Sequence, residues 1–317
     1  YTAAHFLAKA LLYRQSERCT WKSNYPAKTD LDRAIRLCDE VIDARGLEKD
    51  YNNLYSNWTG VDCNIEKSKE ILMSALHNDA STTVGRYGNR TYNYFSSQYN
   101  TYSGGYVPRG QYIGDMEFQR CRPTEYTYAV FDNVNDSRMW KTFKTVYGIC
   151  NNVATPDYVK AENAPTFGDQ GVLFLLNKKD DTRFRKDEFG RAAIKHTFVN
   201  PETGKWVPNV APVYAEGQYV MNTYGTSAAN RSNMFCGINK TADGSRTGEK
   251  GDAHRDVTMA RVGETYLVKA ECQVRNGDDA GALATINLLR KRAEWKAGED
   301  REYYVAVSYT HLRAHET

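Results

Sequence analysis

The sequence predicts a mainly α-helical protein, a scaffold of helix pairs that carries long irregular loop and short-strand excursions. Apolar residues recur at three- and four-residue steps near both ends, over residues 1–15, 30–45 and 256–293, and residues suited to helix ends bound these runs. Between residues 83 and 255 that period fades, and tyrosine, asparagine and glycine dominate much of the stretch. The first observation predicts the scaffold and the second the excursions.

Taken in order, residues 1–15 place Ala3, Ala4, Leu7, Ala8, Leu11 and Leu12 on one helical stripe, mixing small and large side chains as close helix packing requires. A loop over 16–29 contains Trp21, Asn24 and Pro26. Asp30 then stands where it can cap a second helix, whose buried face is Leu31, Ala34, Ile35, Cys38, Val41 and Ile42, up to Arg45-Gly46. The two make a hairpin of the tetratricopeptide-like kind, without the full repeat consensus.

From 83 to 122, Tyr87, Tyr92, Tyr94, Phe95, Tyr99, Tyr102, Tyr106 and Tyr112 are interleaved with Asn89, Arg90, Asn93, Gln98, Asn100 and Arg109, and no stripe forms. Long loops on rigid scaffolds tend to carry function. Aromatic rings that stack on the apolar face of a sugar, with amides and guanidinium groups to fix its hydroxyls, equip a carbohydrate site. The same rings can instead fill space beneath the loop, and sequence does not separate the two roles. Asp136-Ser-Arg138 and Asp181-Thr-Arg183 each set a carboxylate two residues before a guanidinium, which suits a self-bonded turn and no catalytic carboxylate pair. His196 stands isolated in a strand-like run, and the 244–251 loop lacks the strand, Gly-Lys-Ser/Thr and helix of a phosphate loop.

The last pair is the best defined. Met259, Val262, Tyr266, Leu267, Ala270 and Val274 form one stripe, Asn276-Gly277-Asp278 breaks it, and Leu283, Ile286, Leu289 and Ala293 form the next. Arg290, Lys291 and Arg292 sit where a helix C-terminus favours cations.

Composition bounds the function. A net charge of +3 spread over 317 residues gives no nucleic-acid footprint. The 23 tyrosines supply flat amphipathic rings for sugars, interfaces or a core alike. Cysteines at 19, 38, 63, 121, 150, 236 and 272 show no metal-binding or paired spacing, and Cys38 and Cys272 fall on helical stripes as buried thiols. No nucleophile elbow, zinc-protease motif or dinucleotide fingerprint occurs, so neither a cofactor nor catalysis is expected. No stretch approaches a membrane span.

The run Asp256-Val-Thr-Met-Ala-Arg261-Val-Gly-Glu264-Thr-Tyr266-Leu267-Val-Lys-Ala270-Glu271, then Asn276-Gly277-Asp278, then Ile286-Asn287-Leu-Leu-Arg290-Lys-Arg292-Ala293 closely resembles the C-terminal signature of the SusD/RagB family. Supporting matches are Ala8-Lys-Ala-Leu-Leu-Tyr13 with Ala34-Ile-Arg-Leu-Cys-Asp-Glu-Val-Ile42, the strand-like Glu70-Ile-Leu-Met-Ser-Ala-Leu76, and Arg122-Pro-Thr leading to the Asp-x-Arg step. That resemblance implies a surface lipoprotein of Bacteroidetes with a tetratricopeptide-like scaffold, which binds a nutrient glycan without cleaving it and delivers it to a SusC-like TonB-dependent outer-membrane transporter. It also implies a lipid anchor on an N-terminal portion expected to be missing, since the sequence opens at Tyr1 in mid-helix. A single domain is expected over 1–306, with 307–317 as a non-native tail. The expected ligand contacts are Tyr92, Tyr94, Tyr99, Tyr102 and Tyr106, with Trp140 outside that run. Two alternatives stay open: a helical-repeat scaffold for peptides or proteins, which needs an apolar or charged groove, and a glycoside hydrolase, which needs two carboxylates facing across a cleft.

Overall fold

The structure, a computed structural model, describes residues 1–55, 64–78, 89–108, 119–132, 134–188, 190, 192–193, 198–221, 223, 234–238, 240–241 and 255–297. Tyr87, Arg109, Tyr112, His196, the 244–251 loop and the 307–317 segment lie outside them. The longer helices are α1 (Thr2–Arg14), α2 (Ala27–Arg45), α3 (Val262–Arg275) and α4 (Asp279–Ala293). The strands that matter below are β1 (Ile71–Ala75), β2 (Val146–Gly148), β3 (Gln170–Leu175), β4 (Asn209–Pro212) and β5 (Val257–Arg261). The chain divides into two compact units.

The first unit, Tyr1–Leu54 with Cys63–His77 and Asp256–Glu294, is the helix-pair scaffold. Ala8, Leu11 and Leu12 of α1 meet Leu31, Ala34 and Cys38 of α2 and Val268 and Cys272 of α3. Ala8 and Ala34 are fully buried, small side chains where helices must approach closely. Val41, Val262, Tyr266 and Leu289 continue the core. Burial pushes the Cys38 thiol up to about 12 and Cys272 to about 11, so both behave as small apolar side chains. Gly277, at φ 82°, closes α3, and Asp278 caps α4 by accepting from the Gly281 N–H at 2.9 Å.

Three expectations need correction here. Met259 belongs to no helical stripe, because residues 257–261 are strand β5, paired antiparallel with β1 (Val257 opposite Ala75, Arg261 opposite Ile71), and Met259 is exposed. Asp30 does not cap α2. The helix begins at Ala27 after Pro26, and Asp30 is buried in its first turn, clasped by Arg14 and Gln15. The phase of the stripes also differs. Ala3, Leu7, Leu267, Val274 and Leu283 are exposed, while His5, Thr265, Gln273 and Thr285 are buried. These polar groups find each other: His5 Nδ1 lies 2.9 Å from Thr265 Oγ1, and Thr285 donates to Gln273 Oε1 at 2.8 Å. A satisfied polar pair can occupy a core position.

The second unit, Tyr55–Asp62 with Asn78–Arg255 and Trp295–Thr317, is not a mere excursion. Its centre is a three-stranded sheet in the order β2-β3-β4, with β2 antiparallel and β4 parallel to β3. All six residues of β3 are buried, as a central strand covered on both faces requires. Val172, Leu173, Phe174 and Leu175 share their core with Trp140, Phe143, Tyr147, Val210, Ala211, Met221 and Phe235. Among the described residues helix makes up about 38% and strand about 17%, so "mainly α" describes the first unit and is too narrow for the described chain. The two Asp-x-Arg steps are turn locks as expected. Arg138 Nη2 donates to Asp136 Oδ2 at 2.6 Å, and Arg183 Nη2 to Asp181 Oδ2 at 2.7 Å.

Candidate functional site

Among the described side chains of the tyrosine-rich segment, Tyr92, Tyr99 and Tyr106 are buried. Tyr99 is fully buried and stacks on Tyr147, with centroids 4.3 Å apart and planes at 12°. Tyr106 is buried edge-on against Trp206, and its hydroxyl donates to the Ala154 carbonyl at 3.3 Å. Tyr92 and Trp140 are buried as well. In these positions the four side chains have no open ring face to offer a ligand, which departs from the sequence expectation. The physical reason is that a segment poor in aliphatic residues must still bury apolar area, and each aromatic ring hides roughly 150–250 Å2. Tyr102 ends the short helix Tyr99–Tyr102, and its side chain lies outside the described residues. Tyr94 is the exception, 46% exposed.

Tyr94 sits on the short helix Thr91–Phe95, and its carbonyl accepts the N–H groups of Arg120 (3.0 Å) and Cys121 (2.8 Å). The chain then runs through Arg122 and Pro123 into the helix Glu125–Ala129, where the Thr124 side chain accepts from the Thr127 N–H. Residues two apart on a helix point about 200° away from each other. Tyr128 therefore faces the core and Tyr126 faces solvent, 76% exposed. Both helices rest on one segment. The Phe95 carbonyl oxygen lies 2.8 Å from where a Cβ on Gly237 would stand, and the Tyr128 hydroxyl donates to the Cys236 carbonyl at 3.3 Å. Any side chain at 237 would push the first helix away.

Beneath this face Tyr128 tilts against Phe143 and Tyr219, and burial raises the hydroxyl pKa of Tyr128 well above the usual value and that of Tyr219 to about 12. Arg122 and Glu125 act on Tyr219 with opposite signs, the first lowering and the second raising its pKa. Tyr94 and Tyr126 are thus exposed rings, and Arg120, Arg122 and Glu125, close to them in sequence, are exposed as well. Buried neutral phenols support them. Such a set can stack on flat apolar faces and hydrogen-bond hydroxyls; among the described residues no His, Cys, Asp and Glu group could hold a metal ion.

Sequence reasoning missed Tyr126, Arg120 and Glu125. The signal was present in Tyr126-Thr-Tyr128 after the capping Thr124, because a five-residue helix cannot bury both rings.

The SusD family model matches residues 40–313, most of the chain. The chain belongs to the SusD family. The match covers α3 and α4, whose residues carry the signature, and the whole of the second unit's described residues. It continues into the 307–317 segment. SusD proteins are helical and tetratricopeptide-like in scaffold, generally non-catalytic, and typically associated with the outer-membrane surface, where they bind glycans for uptake and generally pair with SusC-like transporters. No curated protein and no solved structure matches the chain. No helix among the described residues is long and apolar enough to cross a membrane.

Proposed function

We propose that this SusD-family protein captures a nutrient glycan at the cell surface without cleaving it and delivers it to a SusC-like TonB-dependent transporter in the outer membrane. Tyr94 and Tyr126 are the stacking platform, and Arg120, Arg122 and Glu125 fix the sugar hydroxyls. Tyr94 carries over from the sequence expectation; Tyr92, Tyr99, Tyr106 and Trp140 act from below by holding the fold that sets the platform's height. The observation that carries this reading is the pair of exposed rings on two short helices seated on consecutive residues, Cys236 and Gly237.

Two stacking contacts of about 0.5–1.5 kcal/mol each, with a few exposed hydrogen bonds, point to an affinity near the millimolar end of the scale, where about 4 kcal/mol corresponds to 1 mM. Weak capture suits a protein that must release its cargo. The test is affinity electrophoresis of the chain in gels cast with individual soluble polysaccharides, beside an assay for newly released reducing ends. Retardation by a polysaccharide, reduced in Tyr94→Ala and in Tyr126→Ala and without product, is the expected result. Released reducing ends would refute the non-catalytic reading, and retardation untouched by both substitutions would refute the platform.

A further inference from the structure

The loop joining α1 and α2 borders a concavity, wholly within the first unit. Gln15, Glu17, Arg18, Lys22, Tyr25 and Arg275 line it, with Ser16 and Ser23, around a volume of about 670 Å3. That lies within the range of small-molecule sites.

Its walls are fixed by bonding within the loop. Ser16 N–H donates to the Tyr13 carbonyl, Cys19 to Ser16 and Tyr25 to Lys22, each at 3.0 Å, so successive turns hold the rim. Below it Asp30 receives Arg14 Nε at 2.8 Å and Gln15 Nε2 at 2.6 Å, and the Arg14 guanidinium lies 3.9 Å from the centre of the Tyr25 ring. Tyr25 in turn meets Trp21 edge to face at 5.9 Å, and both rings are exposed. An aromatic wall pinned from behind needs little reorganisation to receive a ring.

Charge narrows the ligand. Lys22 pairs with Glu17 at 2.8 Å and Arg275 with Glu271 at 2.5 Å. Arg18 is exposed and has no carboxylate partner among the described residues. The hydrogen bond from Lys22, and Arg275 more weakly, hold the Glu17 carboxyl below its usual range, and the groove's lining sets three cations, Arg18, Lys22 and Arg275, against that one carboxylate. A guanidinium fork matches a planar carboxylate, a tyrosine face matches a sugar ring, and Ser16 and Ser23 match sugar hydroxyls.

We propose that this groove is a saccharide site separate from the Tyr94–Tyr126 platform, and that it takes a short oligosaccharide of uronic acids. Arg18 and Lys22 grip the carboxylates while Tyr25 underlies one ring. The assignment depends on the groove's own residues and does not require the platform.

The experiment is calorimetric titration of the full chain with trigalacturonate, with its neutral counterpart galactotriose and with acetate. Trigalacturonate is expected to bind at least tenfold more tightly than galactotriose, and Arg18→Ala or Lys22→Ala is expected to weaken it about tenfold, with Tyr94→Ala and Tyr126→Ala leaving it unchanged. Circular dichroism of each variant establishes that it is folded, and all four substitutions are at solvent-accessible side chains. Equal binding of galactotriose, full competition by acetate at equal concentration, indifference to both cation substitutions, or no heat with trigalacturonate would each overturn the assignment. Loss of trigalacturonate binding in the Tyr94 and Tyr126 variants alone would transfer it to the platform.

Discussion

Removing one carboxylate is expected to unfasten the first unit. Glu70 has no solvent exposure, and its Oε1 accepts from Arg261 Nη1 at 2.7 Å. Its Oε2 accepts from Arg292 Nη1 at 2.5 Å and from the Glu48 N–H at 2.7 Å, while its carbonyl receives the Val262 N–H at 2.8 Å. One residue therefore ties the loop after α2, the entry to β1, the junction of β5 with α3, and the end of α4. The arginines are not equivalent. The Arg261 side chain is 26% exposed and retains water, whereas Arg292 is 8% exposed and would keep a buried, uncompensated charge. Breaking a buried pair from one side costs about 3–5 kcal/mol, and Glu70→Ala should fall in that range. Glu70→Gln keeps the shape and a hydrogen-bond acceptor but loses charge assistance, so about 1.5–3 kcal/mol is expected. Because the chain has two units, a single unfolding midpoint is the wrong observable. Native-state hydrogen exchange resolves it: amides of α3 and α4 should lose protection by those amounts in Glu70→Ala, with the amides of β3 in the second unit unchanged. Adding Arg292→Met to Glu70→Ala should recover part of the loss, since an apolar replacement of both partners removes the stranded charge. A change below about 1 kcal/mol in α3 and α4, or no recovery in the double variant, would refute the reasoning.

Three further outcomes follow from the same physics. Burial lowers the pKa of His5 from 6.5 despite Glu264 at 3.3 Å, so the folded state disfavours the imidazolium; that stability is complete above pH 6.5 and is lost as pH falls from there through the lowered folded-state pKa, and melting curves should show His5→Asn flattening this acid-side slope. At Gly171 a Cβ would lie 2.6 Å from Val107 Cγ2 and 3.1 Å from Ile149 Cγ1, so Gly171→Ala should cost about 1–3 kcal/mol by denaturant titration, partly relieved by adding Val107→Ala. Asp278→Ala removes the α4 cap and should cost about 1 kcal/mol, with Asp278→Asn close to wild type in the same titration.

The helices of the first unit were legible because a 3.6-residue period is averaged over three or more turns, and because Gly277 and Asp278 are local signals that no tertiary contact needs to complete. Their phase was not legible. Whether His5 or Leu7 faces inward depends on Thr265, 260 residues away along the chain, lying at hydrogen-bonding distance from the imidazole. A hydrophobicity stripe assigns the leucine to the core by default, since it has no knowledge of that partner. Strand β5 was misread for a related reason: five residues of mixed polarity fit helix or strand until β1 supplies the ladder.

The same logic explains the tyrosines. Composition established that aromatic area had to be placed somewhere between 83 and 122, and it did not distinguish a ring stacked on Tyr147 from one facing water. Only local periodicity held the answer in part, since Tyr126 and Tyr128 must point in opposite directions on one short helix. What gives the two helices a common support is the 236–238 segment, to which Tyr128 is bonded across 108 residues of sequence. Gly237 was unremarkable in the sequence, one glycine of 23. Yet its missing side chain is what lets the helix carrying Tyr94 approach the segment to which Tyr128 is bonded. Gly237→Ala should therefore weaken glycan retention while Tyr94 and Tyr126 are both still present. If retention were unchanged in a folded Gly237→Ala protein, the two rings would have to act separately, and the shared platform would fail even though each tyrosine remained exposed.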